Sequence, residues 1–381
     1  MIKISVERHG CKVIRFGLVS VVLVVLSFIQ SAALAQQLRI VEPTDDDVVY
    51  AGASVRLVAR WSGSTAGVIF RWVSDIDGPL GSGLETPTEA LSYASHLVAV
   101  EALSGDSVLA RAETTVHVIT SPEQFTLSER TDWEGEFSRS GRQVAYASFR
   151  TGDSEVLVAD VESRFAERIT FNGGRTPVWS PDGLSLAFWS ERSGSRDIWL
   201  VELSSKPREA VRLTKSSAAE WMPAFHPTEQ KIAYIAKRGR ELRLMQLEIT
   251  AEDTTAVELV GPEQYPMFPR WTADGKSLLF TSLADSLPVM TIFSLESGAL
   301  VKVGPAGCED GDISPDGGRV LLARGGELFL LTLADGSLRP LTREAGGVLS
   351  PRFSPDGSRA LFATTRSGNY DLWLLNLPPG R

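Results

Sequence analysis

Trp179-Ser180-Pro181-Asp182-Gly183 decides the fold, because near-copies of it return along the chain. They read Phe137-Ser138-Arg139-Ser140-Gly141, Phe225-His226-Pro227-Thr228-Glu229 and Trp271-Thr272-Ala273-Asp274-Gly275, then Ile313-Ser314-Pro315-Asp316-Gly317 and Phe353-Ser354-Pro355-Asp356-Gly357. Successive first positions lie 42, 46, 46, 42 and 40 residues apart, too even for chance. The chemistry of the turn is legible. Pro presets φ at the first corner, Asp bonds back to the backbone, and Gly accepts a positive φ.

An apolar run follows each turn, as in Leu186-Ala187-Phe188-Trp189 and Ile232-Ala233-Tyr234-Ile235. After a polar loop comes a second run, such as Ile198-Trp199-Leu200-Val201 or Leu372-Trp373-Leu374-Leu375, and three copies end in Arg168-Ile169-Thr170, Arg212-Leu213-Thr214 and Pro340-Leu341-Thr342. Four short strands in roughly 43 residues make one propeller blade. Residues 121–381 are therefore expected to form a six-bladed β-propeller. The last copy lacks its closing strand, and Gln124-Phe125-Thr126 ahead of the first copy matches it. Residues 121–127 are expected to supply the outer strand of the sixth blade, which removes an exposed edge.

Residues 36–120 carry a different pattern. Val55, Leu57, Ala59 and Trp61 alternate with Arg56, Val58 and Arg60, and residues 68–73, 96–102 and 108–119 keep the same period of two. Short alternating runs between Gly, Ser and Asp clusters predict an immunoglobulin-like β-sandwich. The fold class is all-β throughout.

Two resemblances follow. Trp72-Val73-Ser74-Asp75-Ile76-Asp77-Gly78 with the later strand His96-Leu97-Val98-Ala99-Val100 resembles the bacterial polycystic-kidney-disease-type (PKD) modules, which implies an extracytoplasmic spacer or adhesion role. Trp-Ser-Pro-Asp-Gly, Arg-Leu-Thr and Ser367-Gly368-Asn369-Tyr370-Asp371-Leu372-Trp373 resemble the propeller repeats of the TolB family, periplasmic partner proteins of the Tol–Pal envelope system. TolB proteins carry a mixed α/β domain ahead of the propeller, where this chain has the sandwich pattern.

Residues 1–35 read as an address. Lys3, Arg8, Lys12 and Arg15 precede a 14-residue apolar run, Phe16 to Ile29, and Ala33-Leu34-Ala35 offers a small-residue exit. These are the parts of a secretory signal peptide cleaved after Ala35, leaving no stable membrane span. A periplasmic or extracellular location follows.

Of the 381 residues, 38 are Lys or Arg and 47 are Asp or Glu; without residues 1–35 the count is 34 against 46, a net charge of −12. A broad basic face for nucleic acid is disfavoured. Four His and two Cys argue against a multi-His metal site or a disulfide framework. Cys308, alone after cleavage, is expected to be buried.

Catalytic constellations are sparse. No Gly-x-Ser-x-Gly occurs, and the propeller's one His, His226, occupies the Ser slot of a repeat turn. No cofactor is expected. The acids at Asp45 to Asp47, at Asp75 with Asp77, and at Glu309, Asp310 and Asp312 are of the hard-oxygen kind calcium takes, with a solvated turn as the plainer reading.

The expected function is thus non-catalytic binding of an envelope or secreted protein, or a glycan. A carbohydrate-active enzyme using acids over the channel is one alternative. An accessory propeller for a separate hydrolase is the other. Repeat turns occupy one face of a propeller, so binding residues are expected on the other, in the variable loops that enter the innermost strands. Those loops hold Trp133, Glu134, Arg175, Glu220, Trp221, Tyr265, Asp310 and Asp312, and Trp, Tyr and Arg are the types that anchor interfaces. Arg192 and Arg196 lie in the neighbouring loops between second and third strands.

Overall fold

The computed structural model describes residues 37–88, 91–249, 254–343 and 346–378. The expected leader lies outside the described residues. By packing, the described residues divide into two units, one holding 37–44, 56–88 and 97–114, the other 45–55, 91–96 and those from 115 to 378. The line expected between residues 120 and 121 thus differs from the division by packing, which places three short stretches of the N-terminal region with the second unit.

The N-terminal strands form two sheets. One orders Leu38–Glu42, Val55–Trp61 and Glu85–Thr88; the other orders Asp47–Tyr50, Ser107–Ile119, Ser95–Ser104, Ile69–Ser74 and Gly78–Ser82. Asp47–Tyr50 runs parallel to Ser107–Ile119. The alternation read from sequence appears as burial. Val55, Leu57 and Ala59 are buried while Arg56 and Arg60 are exposed, and Phe70 and Trp72 are buried between exposed Ile69 and Arg71. Trp72 is fully buried and its indole donates to the Gly83 carbonyl at 3.0 Å. His96 and His117 are buried strand residues bonded to Ser92 O and Ser95 Oγ, each at 2.8 Å. Asp45 and Asp75 accept the Thr115 and Leu97 amides at 3.0 and 2.8 Å, which is the turn role.

Six four-stranded antiparallel sheets follow, with innermost strands Asp132–Phe137, Arg175–Trp179, Ala219–Phe225, Pro266–Trp271, Cys308–Ile313 and Leu349–Phe353. Each innermost strand contacts the next, and the sixth contacts the first, so the blades close into a ring. The outer strand of blade 6 is Glu123–Gln124, paired antiparallel with Asp371–Asn376. The expected closure is therefore present.

The repeat turns work as their chemistry dictates. In blade 2, Ser180 Oγ donates to Asp182 Oδ1 at 2.6 Å and accepts the Ser185 amide at 3.0 Å, while Asp182 Oδ1 accepts the Leu184 amide at 2.9 Å. Gly183 takes φ 72°. His226 replaces the Ser in blade 3. Its Nδ1 accepts the Glu229 amide at 3.0 Å and its ring meets Trp271 edge-on, so its role is structural.

The recurrent Arg-Leu-Thr is explained by a buried acid on the third strand. Arg212 donates to Asp197 at 2.7 Å, and the Thr214 hydroxyl accepts the Ile198 amide at 2.9 Å. Arg168 and Thr170 hold Glu155 in the same way. In blade 6 the acid is Asp371, held by Gln124 at 3.0 Å and Thr126 at 3.3 Å from the start of the propeller. Cys308 is fully buried, and burial pushes its thiol up to about 11.

Candidate binding site

Each innermost strand carries a register shift just before its turn. In five blades the shift includes a non-glycine residue with left-handed backbone: Glu134, Thr176, Met222, Phe268 and Ser350, with φ between 47° and 55°. Such bulges bend a strand and re-aim the side chains that follow. The residue just before each terminal aromatic or Ile is Glu136, Val178, Ala224, Arg270, Asp312 or Arg352. All except Val178 line a hollow of about 450 Å³ that touches the repeat turns of all six blades. One side of the ring is thus charged, in the order Arg270, Asp312, Arg352, Glu136, and the other is apolar.

The charges lie deep. Arg270 and Arg352 are 7% and 4% exposed, and Asp310 is 2% exposed. Arg352 Nη1 lies 3.7 Å from Asp310 Oδ1. Asp312 accepts the Phe353 amide at 2.8 Å, and Glu134 accepts the Thr176 amide at 2.9 Å, so both tie neighbouring blades together. Desolvation dominates their titration, offset in part by Arg270. It pushes Glu136 and Asp310 up to about 7 and Asp312 up to about 6. Glu136 and Asp312 are half-buried and border the channel hollow. Among the described residues, no three His, Cys, Asp or Glu converge as a metal set.

The loops that enter the innermost strands build a different surface. Arg175 lies over three rings, at 4.9 Å from the centroid of Phe149, 5.3 Å from Trp189 and 5.6 Å from Trp133. Arg196 covers Trp189 at 5.1 Å and Trp221 at 5.7 Å. Trp133 extends the series to Tyr370 at 6.1 Å. Arginine and aromatic side chains therefore alternate across blades 1, 2 and 3. Each such contact contributes about 0.5–2 kcal/mol, depending on how dry it is. Arg175, Trp189 and Arg196 also border a hollow of about 840 Å³.

The expected site residues separate accordingly. Trp133, Arg175 and Trp221 come together in the stack. Asp312 lines the channel hollow, whereas Glu134 is tied to the Thr176 amide and Asp310 lies beside Arg352. Tyr265 stands apart, 41% exposed, with its hydroxyl donating to Arg240 O at 2.7 Å. Three residues expected as surface contacts, Glu220, Trp221 and Asp310, are buried instead, Asp310 at 2% exposure beside Arg352. Trp221 is 8% exposed and packs in the core of blades 2 to 4, and Glu220 is 3% exposed and accepts from Ser216 Oγ at 2.6 Å. Both lie within the strand, where blade 2 residues reach them: Arg212 and Asp197 act on Glu220, and Arg196 lies over Trp221. Sequence reasoning passed over Glu136, Arg270 and Arg352, although a signal was available. Each directly precedes the residue that opens a repeat turn.

Ring, repeat turns and strand-exchange closure define a six-bladed β-propeller. Residues 121–324 and 229–381 match the PD40 family model, the TolB beta propeller domain, and the chain belongs to that family. An uncharacterized protein of Agrobacterium fabrum is 25% identical over 171 residues, 42% of this chain and 57% of that protein. The Tol-Pal system protein TolB of Bordetella pertussis is 29% identical over 158 residues, 39% of this chain and 35% of its own length. The chain thus spans between 35% and 57% of the length of these curated relatives. Among solved structures, TolB from Acinetobacter baumannii aligns with TM-score 0.51 and 17% identity, covering 76% of this chain and 78% of that one. An oligogalacturonate lyase in complex with manganese aligns with TM-score 0.53 and 12% identity, covering 87% and 99%. At such identities the likeness is one of fold.

Proposed function

We propose that this protein is an exported, non-catalytic binding protein of the cell envelope, whose propeller holds a protein partner on the face of the entry loops. The carrying observation is the row Trp133, Arg175 and Arg196, backed by the buried rings of Trp189 and Trp221, beside the 840 Å³ hollow. Large rigid rings and guanidinium groups anchor interfaces, and a closed ring of blades presents them without a large ordering cost. Membership of the TolB propeller family, and the Tol-Pal system named for one relative, support an envelope partner. The basic, apolar and small-residue leader supports export. Among the described residues no helix is long and apolar enough to cross a membrane. The N-terminal two-sheet unit, with its buried Trp72, acts in this reading as a PKD-type spacer.

The test is capture from an envelope extract with tagged wild type, Trp133→Ala and Arg139→Gln. Arg139 stands exposed in a repeat turn of the opposite face. The expected result is a partner retained by Arg139→Gln and lost by Trp133→Ala. The reverse pattern would place the interface on the other face and defeat the proposal.

The channel supports a second reading. Carboxyl groups held near neutrality beside Arg270 and Arg352 have the titration that acid–base chemistry requires. Turnover of an anionic polysaccharide that disappears in Glu136→Gln would establish it.

A further inference from the structure

Arg175 has no hydrogen-bond or ion-pair partner among the described residues, although three aromatic rings fix its position at the edge of the 840 Å³ hollow. A guanidinium held by ring faces keeps its in-plane donors free, and that fork matches a carboxylate. Besides its two ring contacts, the guanidinium of its neighbour Arg196 pairs among the described residues with Glu191 alone, at 2.8 Å, the two side chains being 46% and 62% exposed. An ion pair so exposed contributes little and is readily exchanged for another carboxylate. Glu134 feels the charge of Arg175 but is committed to the Thr176 amide at 2.9 Å, and the acids around the hollow are placed otherwise. Glu155 is already held by Arg168 and Thr170, and Asp153 lies exposed at the rim.

Trp189 is 9% exposed and has the guanidinium groups of Arg175 and Arg196 at 5.3 and 5.1 Å from its ring centroid, so little of its ring is open. A sugar ring finds no open face there to stack on, whereas carboxylates find two sets of in-plane donors. We infer that the stack is a binding track for an acidic peptide segment, with one carboxylate seated on Arg175 and the next displacing Glu191 from Arg196. This rests on the partner-binding reading and names the chemistry the partner must present. The site is a local cationic feature on a chain of net charge −9, so the ligand is recognised by the fork geometry of two arginines and not by a general basic field.

The experiment is titration of the full chain with a short blocked peptide alternating Asp and Gly, followed by tryptophan fluorescence and calorimetry. The same peptide with Asn for Asp, and trigalacturonate, serve as competing probes. The acidic peptide is expected to bind, to weaken as salt is added, and to bind about tenfold more weakly to Arg175→Gln, the loss of one charge-assisted pair. Arg175→Lys, which keeps the charge and loses the fork, is expected to fall between them. Unchanged melting temperatures show that the ring is intact; should Arg175→Gln fail to fold, Arg175→Lys and Arg196→Gln carry the comparison. Equal binding of the Asn peptide, tighter binding of trigalacturonate, or indifference to every arginine variant overturns the inference. Loss of envelope capture in Trp133→Ala together with no response to acidic peptide would defeat this inference alone and leave the partner-binding face standing. Loss of capture in Arg139→Gln with capture kept in Trp133→Ala would defeat the face itself.

Discussion

Gly275 and His226 show how a repeat absorbs an exception at the scale of single residues. Gly275 has φ 70°, as its counterparts do, but a methyl group built on it would overlap the His226 imidazole. Gly183, at φ 72°, has nothing within reach of such a methyl. Gly183→Ala should therefore cost only the left-handed backbone, about 1–2 kcal/mol. Gly275→Ala should cost clearly more in urea denaturation, and His226→Ser in the same chain should recover the difference but not the common part. Equal costs for the two glycine variants would show that His226 moves aside freely. The turns were legible in sequence because Pro, Asp and Gly act through their own backbone. The arginine–aromatic stack was not, because Arg175, paired across the strand with Trp189, meets Trp133 and Phe149 only after blades 1 and 2 have packed. Period-two alternation likewise assigns Glu220 and Trp221 to opposite faces of a strand, yet it cannot reveal that neighbouring elements cover both.

At the scale of the element, the same side-chain device that fastens the outer strands also closes the ring. Asp197 in blade 2 is held by Arg212, whereas Asp371 in blade 6 is held by Gln124, Thr126 and Ser367, the last at 2.6 Å. Asp371 is 1% exposed, so losing a partner leaves a buried acid short of a hydrogen bond. Thr126→Val should lower stability by about 1–3 kcal/mol. Phe125, 4% exposed and packed with Phe137, Tyr146 and Leu374, should cost about 3–5 kcal/mol as Ala. Chemical denaturation of both variants measures these costs. If Thr126→Val and Phe125→Ala unfold like the wild type, the first residues of the propeller do not hold the ring shut. This closure could be read in advance because Gln124-Phe125-Thr126 repeats the motif missing from the last copy. The bulges of the innermost strands could not, since Glu134, Thr176, Met222, Phe268 and Ser350 share a backbone conformation but no side-chain chemistry.

Across the whole molecule, two sets of carboxyl groups respond to acid in opposite directions. Acids of the innermost strands, in or beside the channel, sit above their ordinary range, with Glu136 and Asp310 at about 7 and Asp312 at about 6, because burial penalises the charged form. Between the ordinary carboxyl range and these values the folded chain binds protons that the unfolded chain has released, so stability falls as pH rises through that window. Turn aspartates behave oppositely. Asp182, Asp274 and Asp316 are held low by the Ser or Thr hydroxyl of their own turn, and Ser354 brings Asp356 to about 2. Their contribution is present above the ordinary Asp range and is lost as pH falls through the lowered values. The melting temperature should therefore peak on the acid side of neutrality, rising as pH is brought from about 8 to about 5 and dropping below about 4. Glu136→Gln with Asp310→Asn should flatten the neutral arm of that curve and leave the acid arm in place. Asp356→Asn should soften the acid arm alone. A melting temperature highest near pH 8 in the wild type, or a neutral arm unmoved by the channel variants, would mean that solvent in the channel keeps these carboxylates charged at little cost. The charged half of the ring would then be a hydrated conduit whose arginines and acids stabilise one another through water.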